Sequence, residues 1–473
     1  MTNSEIYGAT YYSTIALILA ILAVAGLGLM LQVDRYLGRW VSCLAVPAMG
    51  LGTALSSAFS GRDLKYAFYN IEGISFGGGG GNTILRIITA IIVGLCVATV
   101  VAKFFVRRID VSQFVSGQWL VGTFYGFYFC NAVFNAAFGT IPSFTHNVLY
   151  LPLIFSAVYL WRAEPLEDFV NLAKWMLLAF TLGSLLLALL KPSLAVEPNY
   201  KGWIPGLTFR LWGLSSHANS LGPLALLFIL LEWMCPSGRW WSRFLNISIG
   251  LAVVVLAQSK TAWAAGLSII PILAWYKVGR APAGGMRIEF AISLIAGLLV
   301  LILGLAFLDI DKIWHRIATT RVGMDVATLS GRAQIWAAAV TIWENSLVFG
   351  YGPTAWGPEH RAALGMPFAF SAHNQFLQSM STAGTLGLLS LLVYLAALGV
   401  RCLANADATC GASVALFIIL LLRCITETPL SPGAIFNGDM IAHLVIFRIA
   451  LGQFGVRDSK AASQPLGSMV LAK

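Results

Sequence analysis

The chain has 473 residues, of which 58% are hydrophobic and only 11% charged. With a mean hydropathy of +0.80, this excludes a soluble globular domain, in which about a quarter of residues are charged. The net charge of +10 and pI near 9.3 do not indicate nucleic acid, because the basic residues are scattered through short loops instead of forming a stripe. Cytoplasmic loop charge together with an anionic substrate accounts for them better.

In chain order, the N-terminus MTNSEIYGATYYS has no basic region and runs into about twenty apolar residues, too long for a signal-peptide core, so it reads as a first span. Stretches long enough for about 30 Å of hydrocarbon follow near 12–32, 41–58, 84–102, 114–138, 146–161, 169–190, 218–235, 245–257, 261–276, 289–308, 373–400, 410–426 and 434–451. The expected fold is all-α, a polytopic helical bundle of about 12–13 transmembrane helices with one long periplasmic loop containing short helices. Residues 1–190 form N-terminal membrane helices, and 191–308 central helices with an outer loop and a short hairpin tipped by Ser259 and Lys260. Residues 309–372 form the periplasmic catalytic loop, 373–455 C-terminal membrane helices and 456–473 a cytoplasmic tail.

Orientation follows from Lys and Arg. Arg35/Arg39, Lys103/Arg107/Arg108, Arg239/Arg243, Lys277/Arg280/Arg287, Arg401 and Arg457/Lys460 fall on alternate loops, which marks the cytoplasmic side. The loops at 60–83, 191–217 and 309–372, the Ser259-Lys260 tip and Glu427 then share the opposite side, the periplasm in a bacterium-like cell. Lys191, Lys201, Arg210 and His217 in the outer loop break the usual charge bias and need a reason. The run Gly77 to Gly81 lacks the Lys-Ser/Thr of a phosphate loop and reads as a flexible loop.

Ser330 to Asn345 carries helix signals, with Ser330 as N-cap and Ile335, Trp336, Ala339, Ile342, Trp343 and Leu347 at three-to-four spacing. Arg332 projects from that apolar stripe and needs an anionic partner. The alternatives to a substrate anion are a lipid headgroup or a structural pair with Asp325 or Glu344. Gly350-Tyr351-Gly352-Pro353 reads as a tight turn, and Trp356 serves either sugar stacking or interfacial anchoring.

His373 is expected in the first turn of the next span, after Ser371 as N-cap. The partial positive charge of a helix N-terminus keeps such an imidazole neutral, as a general base must be. Asn374 and Gln375 add amides beside it. The alternative is an interfacial histidine bonded to backbone. The remaining histidines make no i, i+4 metal pair, and the seven cysteines occur singly without Cys-x-x-Cys, so no metal site and no disulfide frame is expected. Arg210, Lys260 and Arg332, all outer-side cations, together suit a diphosphate, with arginine supplying a planar donor fork and lysine a point charge. Ionisable residues near membrane depth, Glu427 among them, are functional candidates.

The ordered set Arg210, Gly213, His217-x-Asn219, Ser259-Lys260-Thr261, Ser330-Gly331-Arg332-x-x-x-Trp336, Gly350-Tyr351-Gly352 and His373-Asn374 resembles the O-antigen ligase and O-antigen/exopolysaccharide polymerase superfamily, with the likeness to exopolysaccharide polymerases closest. It covers roughly residues 200–430. The resemblance implies an inverting, metal-independent glycosyltransferase of the inner membrane, without cofactor, whose active site faces the periplasm. Its donor would be an undecaprenyl-diphosphate-linked oligosaccharide and its acceptor a glycan or lipid A core. Membrane lipids surround it, nucleic acid has no part, and a chain-length regulator is a candidate partner.

It further implies that Arg210 and Arg332 bind the diphosphate and that His373 assists the acceptor hydroxyl. His373 and Arg332 are thus the expected catalytic residues, and Arg210, His217, Lys260, Asn374, Trp336 and Glu427 the expected substrate-binding ones. Where the family often has Ser-Arg, this chain has Ser259-Lys260, which keeps the charge and loses the fork. The rival readings are a secondary transporter or flippase, which normally shows two related halves, and a noncatalytic assembly scaffold.

Overall fold

The computed structural model describes residues 41–66, 83–101, 118–161, 165–200, 202, 204, 206–279, 286–292, 295, 332–432 and 435–452. The expected spans at 12–32 and 289–308, the glycine run 77–81, Ser330 and Asp325 lie outside these residues, apart from 289–292 and 295.

The architecture is an all-α membrane bundle. Its helices are α1 (Val41–Ala58), α2 (Thr83–Val101), α3 (Gln118–Tyr128), α4 (Tyr150–Leu160) and α5 (Leu166–Leu190). A two-stranded hairpin follows, β1 (Val196–Pro198) and β2 (Phe209–Leu211), then α6 (Ala218–Met234), α7 (Trp240–Leu256) and α8 (Lys260–Ala274). After the undescribed stretch come α9 (Arg332–Glu344), α10 (Pro358–Ala363), α11 (Gln375–Ala404), α12 (Ala412–Thr426) and α13 (Gly438–Leu451).

Among the described residues four helices are long and apolar enough to cross a membrane: Thr83–Val101, Leu166–Leu190, Lys260–Gly279 and Gln375–Ala404. From 22% to 44% of each such segment is buried inside the protein, which leaves outer faces for lipid. Other apolar helices, such as Ala218–Met234 and Ala412–Thr426, are shorter. The segment expected as one span at 114–138 passes from α3 through a π-helical turn at Phe129–Phe134, and a second π turn, Trp275–Gly279, ends α8 just after Pro271.

Two features depart from the sequence reading. The outer segment 191–217, read as loop, contains the hairpin, in which Glu197 pairs with Arg210 across antiparallel strands. Arg62 anchors it. This side chain, 5% exposed, donates from Nε to Leu194 O (2.7 Å), from Nη1 to Ser215 O (2.7 Å) and from Nη2 to Gly213 O (2.6 Å). Its burial lowers the guanidinium to about 10, still charged at neutral pH.

The span expected at 373–400 is also broken. Gly384 takes φ +67° inside α11, a left-handed conformation that glycine adopts without a side-chain penalty. The segment after α9 fills the break: Tyr351 N donates to Ser381 O (3.0 Å), Gly352 N to Thr382 O (3.0 Å) and Thr385 N to Leu347 O (2.7 Å). Thr140 N and Ile141 N donate in turn to Gly350 O and Tyr351 O. Gly350-Tyr351-Gly352 is therefore the middle of a three-segment backbone seam, where the sequence suggested only a turn. Backbone groups freed by a helix break must be paired within a membrane protein, and the seam does this.

The stripe on α9 buries Ile335, Ala339 and Ile342 with Ala355, Trp356, Ala369 and Ala372 in a small second core, while Leu347 stays exposed. The unit 332–372 thus packs as a cap on α11, with Trp343 Nε1 donating to Thr385 Oγ1 (3.1 Å) and Trp356 Nε1 to Ser381 Oγ (3.1 Å).

Candidate active site

One end of the bundle gathers the starts of α6, α8, α9 and α11 and the ends of α7 and α12. Arg239 and Arg243 at the start of α7, Lys277 after α8 and Arg401 near the end of α11 fall at the other ends of these helices.

Glu427, the C-cap of α12, is the hub. Its Oε1 accepts from Arg332 Nη2 (3.1 Å) and Asn219 Nδ2 (2.8 Å), and its Oε2 lies 3.0 Å from His373 Nδ1. Arg332 Nη1 donates to Thr426 O. The partner of Arg332 is therefore Glu427, not Glu344. Burial pushes the Glu427 carboxyl up, but the His373 hydrogen bond, the His373 and Arg332 charges and His217 outweigh it and hold the group at about 2. An ionised carboxylate only accepts, so Nδ1 of His373 carries a hydrogen toward Glu427 and Nε2 is the ring nitrogen left for other partners. A carboxylate in this position orients the ring of the histidine it touches.

His373 lies just before the N-cap of α11, outside the helix, where the sequence suggested its first turn. The N-cap of α11 is Asn374, whose Oδ1 accepts from Phe376 N and Leu377 N, while its Nδ2 donates to Ile425 O. Ser371 Oγ instead accepts from His373 N (3.2 Å). His373 itself has φ +46°, a sparsely populated conformation for a non-glycine residue that persists where its surroundings fix it. They do: Trp336 Nε1 donates to Ala372 O (3.0 Å), Ala372 N donates to Gln378 Oε1 (2.8 Å), and Gln375 Oε1 accepts from Leu430 N (2.8 Å), tying α11 to the chain after Glu427. Trp336 and Asn374 thus hold the backbone on either side of the imidazole.

Arg210 joins the hub through Asn219. Its Nη2 donates to Asn219 Oδ1, its Nε to Ala257 O (3.0 Å), and its guanidinium lies over Tyr200, 4.9 Å from the ring centre. At 8% exposure it is far less accessible than the Arg332 side chain at 23%. Burial lowers its affinity for the proton, opposed by Tyr200, Glu197 and Glu427. His217 caps α6 by accepting from Asn219 N through Nδ1 (3.0 Å), and burial beside Arg210 pushes it down to about 3, so it is neutral. Lys260 is the first residue of α8, after the buried tip Gln258-Ser259. The neighbouring Thr261 hydroxyl is 3.0 Å from that of Thr426, which brings the start of α8 beside the Arg332 contact.

Asn219 was legible only as part of a motif, yet it is the bridge between Arg210 and Glu427. Arg62 and Tyr200 had no sequence signal beyond their residue type.

The fold and site define a multi-pass membrane protein with an ionised carboxylate, a histidine and two arginines at one bundle end. Residues 245–392 match the family model described as O-antigen ligase, so this part of the chain is similar to that family. No curated protein matches the chain. The matched region contains Lys260, Arg332, Trp336, His373 and Asn374; Arg210, His217, Asn219 and Glu427 lie outside it and reach the site through the fold.

Proposed function

We propose that this protein is an inverting glycosyltransferase that polymerises or ligates undecaprenyl-diphosphate-linked oligosaccharide on the periplasmic face of the inner membrane. The observation that carries the reading is the single carboxylate, Glu427, in contact with both Arg332 and His373. The acceptor hydroxyl attacks C1 of the donor sugar and gives its proton to Nε2 of His373. The bond from C1 to the diphosphate oxygen breaks, and the lipid diphosphate leaves with the electron pair.

Attack from the face opposite the leaving group inverts the anomeric centre. Charge building on the leaving oxygen is met by Arg332, whose guanidinium uses two nitrogens on Thr426 and Glu427 and has further N–H groups for a phosphate. Lys260 adds a second cation in this reading, and the more buried Arg210 acts chiefly by holding Asn219. Because the donor brings its own leaving group, a base and a cationic clamp are sufficient and the scheme contains no metal.

The acceptor is another lipid-linked repeat or a lipid A core, the former in an exopolysaccharide polymerase working with a chain-length regulator. The experiment is reconstitution of the purified protein with a lipid-linked repeat, with glycosidic product read by mass. Flux of the lipid-linked sugar without bond formation would favour transport, a reading to which the broken helix α11 lends support. The seam at 347–352 that covers the break gives that helix a structural reason of its own.

A further inference from the structure

Glu427 divides one negative charge among three donors, and its two oxygens divide them unequally. Oε1 serves both Arg332 and Asn219, and Oε2 serves His373 alone. Of the two arginines in the network, Arg332 is the more open and so the one an incoming anion reaches. Asn219 cannot follow it, because its Oδ1 is held by Arg210 and its amide orientation is dictated by partners that only donate or only accept. The backbone is fixed as well: Glu427 N donates to Arg423 O (2.6 Å), and Trp336 on the helix that carries Arg332 grips Ala372 O. The Arg332 side chain, held by Thr426 O and Glu427 alone in this network, is the member that can turn to an anion while the carboxylate and the imidazole stay in register.

We infer that Glu427 is a transferable counter-ion: a diphosphate at Arg332 withdraws that arginine from Oε1, and the released carboxylate charge passes to the Nδ1–H of His373, so that the base reaches full strength only when the donor is bound. The inference rests on the reading of Arg332 as diphosphate-binding. A phosphate group carries more charge than a carboxylate and accepts the arginine fork in two parallel bonds, so the exchange runs toward the ligand. By linkage, the coupling is reciprocal: whatever strengthens the Glu427–His373 contact tightens diphosphate binding by the same factor. Among the described residues, Arg210 and His217 are further ionisable groups of this network and are engaged by protein partners, and Lys260 starts the neighbouring helix α8. The device explains why a reactive base is kept beside an ion pair: the hydroxyl is not activated before the leaving group is in place.

The test is 15N-histidine NMR of the full-length protein in zwitterionic nanodiscs, following the His373 Nδ1–H resonance, assigned by its loss in His373→Gln, with farnesyl diphosphate as probe. Farnesyl diphosphate should bind, move this resonance downfield as the hydrogen bond to Glu427 strengthens, and bind at least as tightly to Glu427→Gln, in which the carboxylate no longer competes for Arg332. In Arg332→Gln the resonance of the unliganded protein should already lie downfield. Binding that depends on Arg332 with no movement of the resonance overturns the transfer and leaves the diphosphate reading intact. Failure of Arg332 to influence binding overturns both. The same movement produced by phosphatidylglycerol alone assigns Arg332 to a lipid headgroup and overturns the donor-gated base. The wild-type titration stands without any variant, and a variant is read only where size-exclusion and thermal unfolding match the wild type.

Discussion

Glu427→Gln keeps the shape of the hub and removes its charge. The carboxyl is held at about 2 against its usual 4.5 despite burial that opposes this, a depression worth about 3 kcal/mol in favour of the ionised form. That stabilisation is shared between the Arg332 pair and the His373 hydrogen bond, so the glutamine loses both. A carboxamide can also donate to Nδ1 of His373, which places the hydrogen on Nε2 and turns the base the wrong way round. General-base assistance is typically worth about 10²–10⁴ in rate, and transfer should fall within that range while the folded protein persists. The assay is single-turnover transfer from a lipid-linked donor with enzyme in excess of donor, with yield checked by size-exclusion in detergent. A Glu427→Gln enzyme that transfers at the wild-type rate would refute both the tautomer argument and the role of Glu427 as the hub.

The pH dependence of folding supplies a second test. A depressed carboxyl contributes stability that is present above its unfolded value of 4.5 and lost as pH falls toward about 2. Thermal unfolding across that window should therefore show a steeper acid loss for wild type than for Glu427→Gln; parallel curves would contradict the assigned shift. Arg332→Lys keeps the charge and cannot reproduce the paired contacts to Thr426 O and Glu427, and with hydrogen bonds to charged groups worth about 1.5–3 kcal/mol product formation should drop roughly 10- to 100-fold, with abundance little changed on immunoblots. Gly384→Ala places a Cβ against Val348 O in a left-handed backbone, so calorimetry in detergent should show a loss of at least about 2 kcal/mol, from strain of about 1–3 kcal/mol plus the clash; a neutral substitution would mean the seam is not the element that holds α11.

Hydropathy made the bundle legible, because a run of apolar residues is enough to specify a membrane helix. The break at Gly384 was not legible: the glycine lies in an unremarkable apolar run, and its left-handed conformation is imposed by residues 347–352, far away in sequence. The hairpin at 196–211 was hidden for a related reason, since strands of three residues carry almost no periodicity and depend on Arg62 for anchorage. At the site, Arg332, His373 and Glu427 were visible as ionisable residues out of place in an apolar chain. What joins them was not. Asn219 carries no charge, and its bridging role follows only from the approach of α6 to the end of α12. The cap position also moved by chemistry that the sequence left open, as Ser371 and Asn374 are both good N-caps and only the backbone chose between them.

The measurement that bears most directly on the central claim is single-turnover transfer by His373→Ala, with donor binding determined separately on the same preparation. The account predicts that the lipid-linked donor still binds, since Arg332 and Lys260 are intact, and that glycosidic bond formation slows by about 10²–10⁴. An unchanged transfer rate would remove the base from His373 and contradict the mechanism; loss of donor binding with it would move His373 into the diphosphate site.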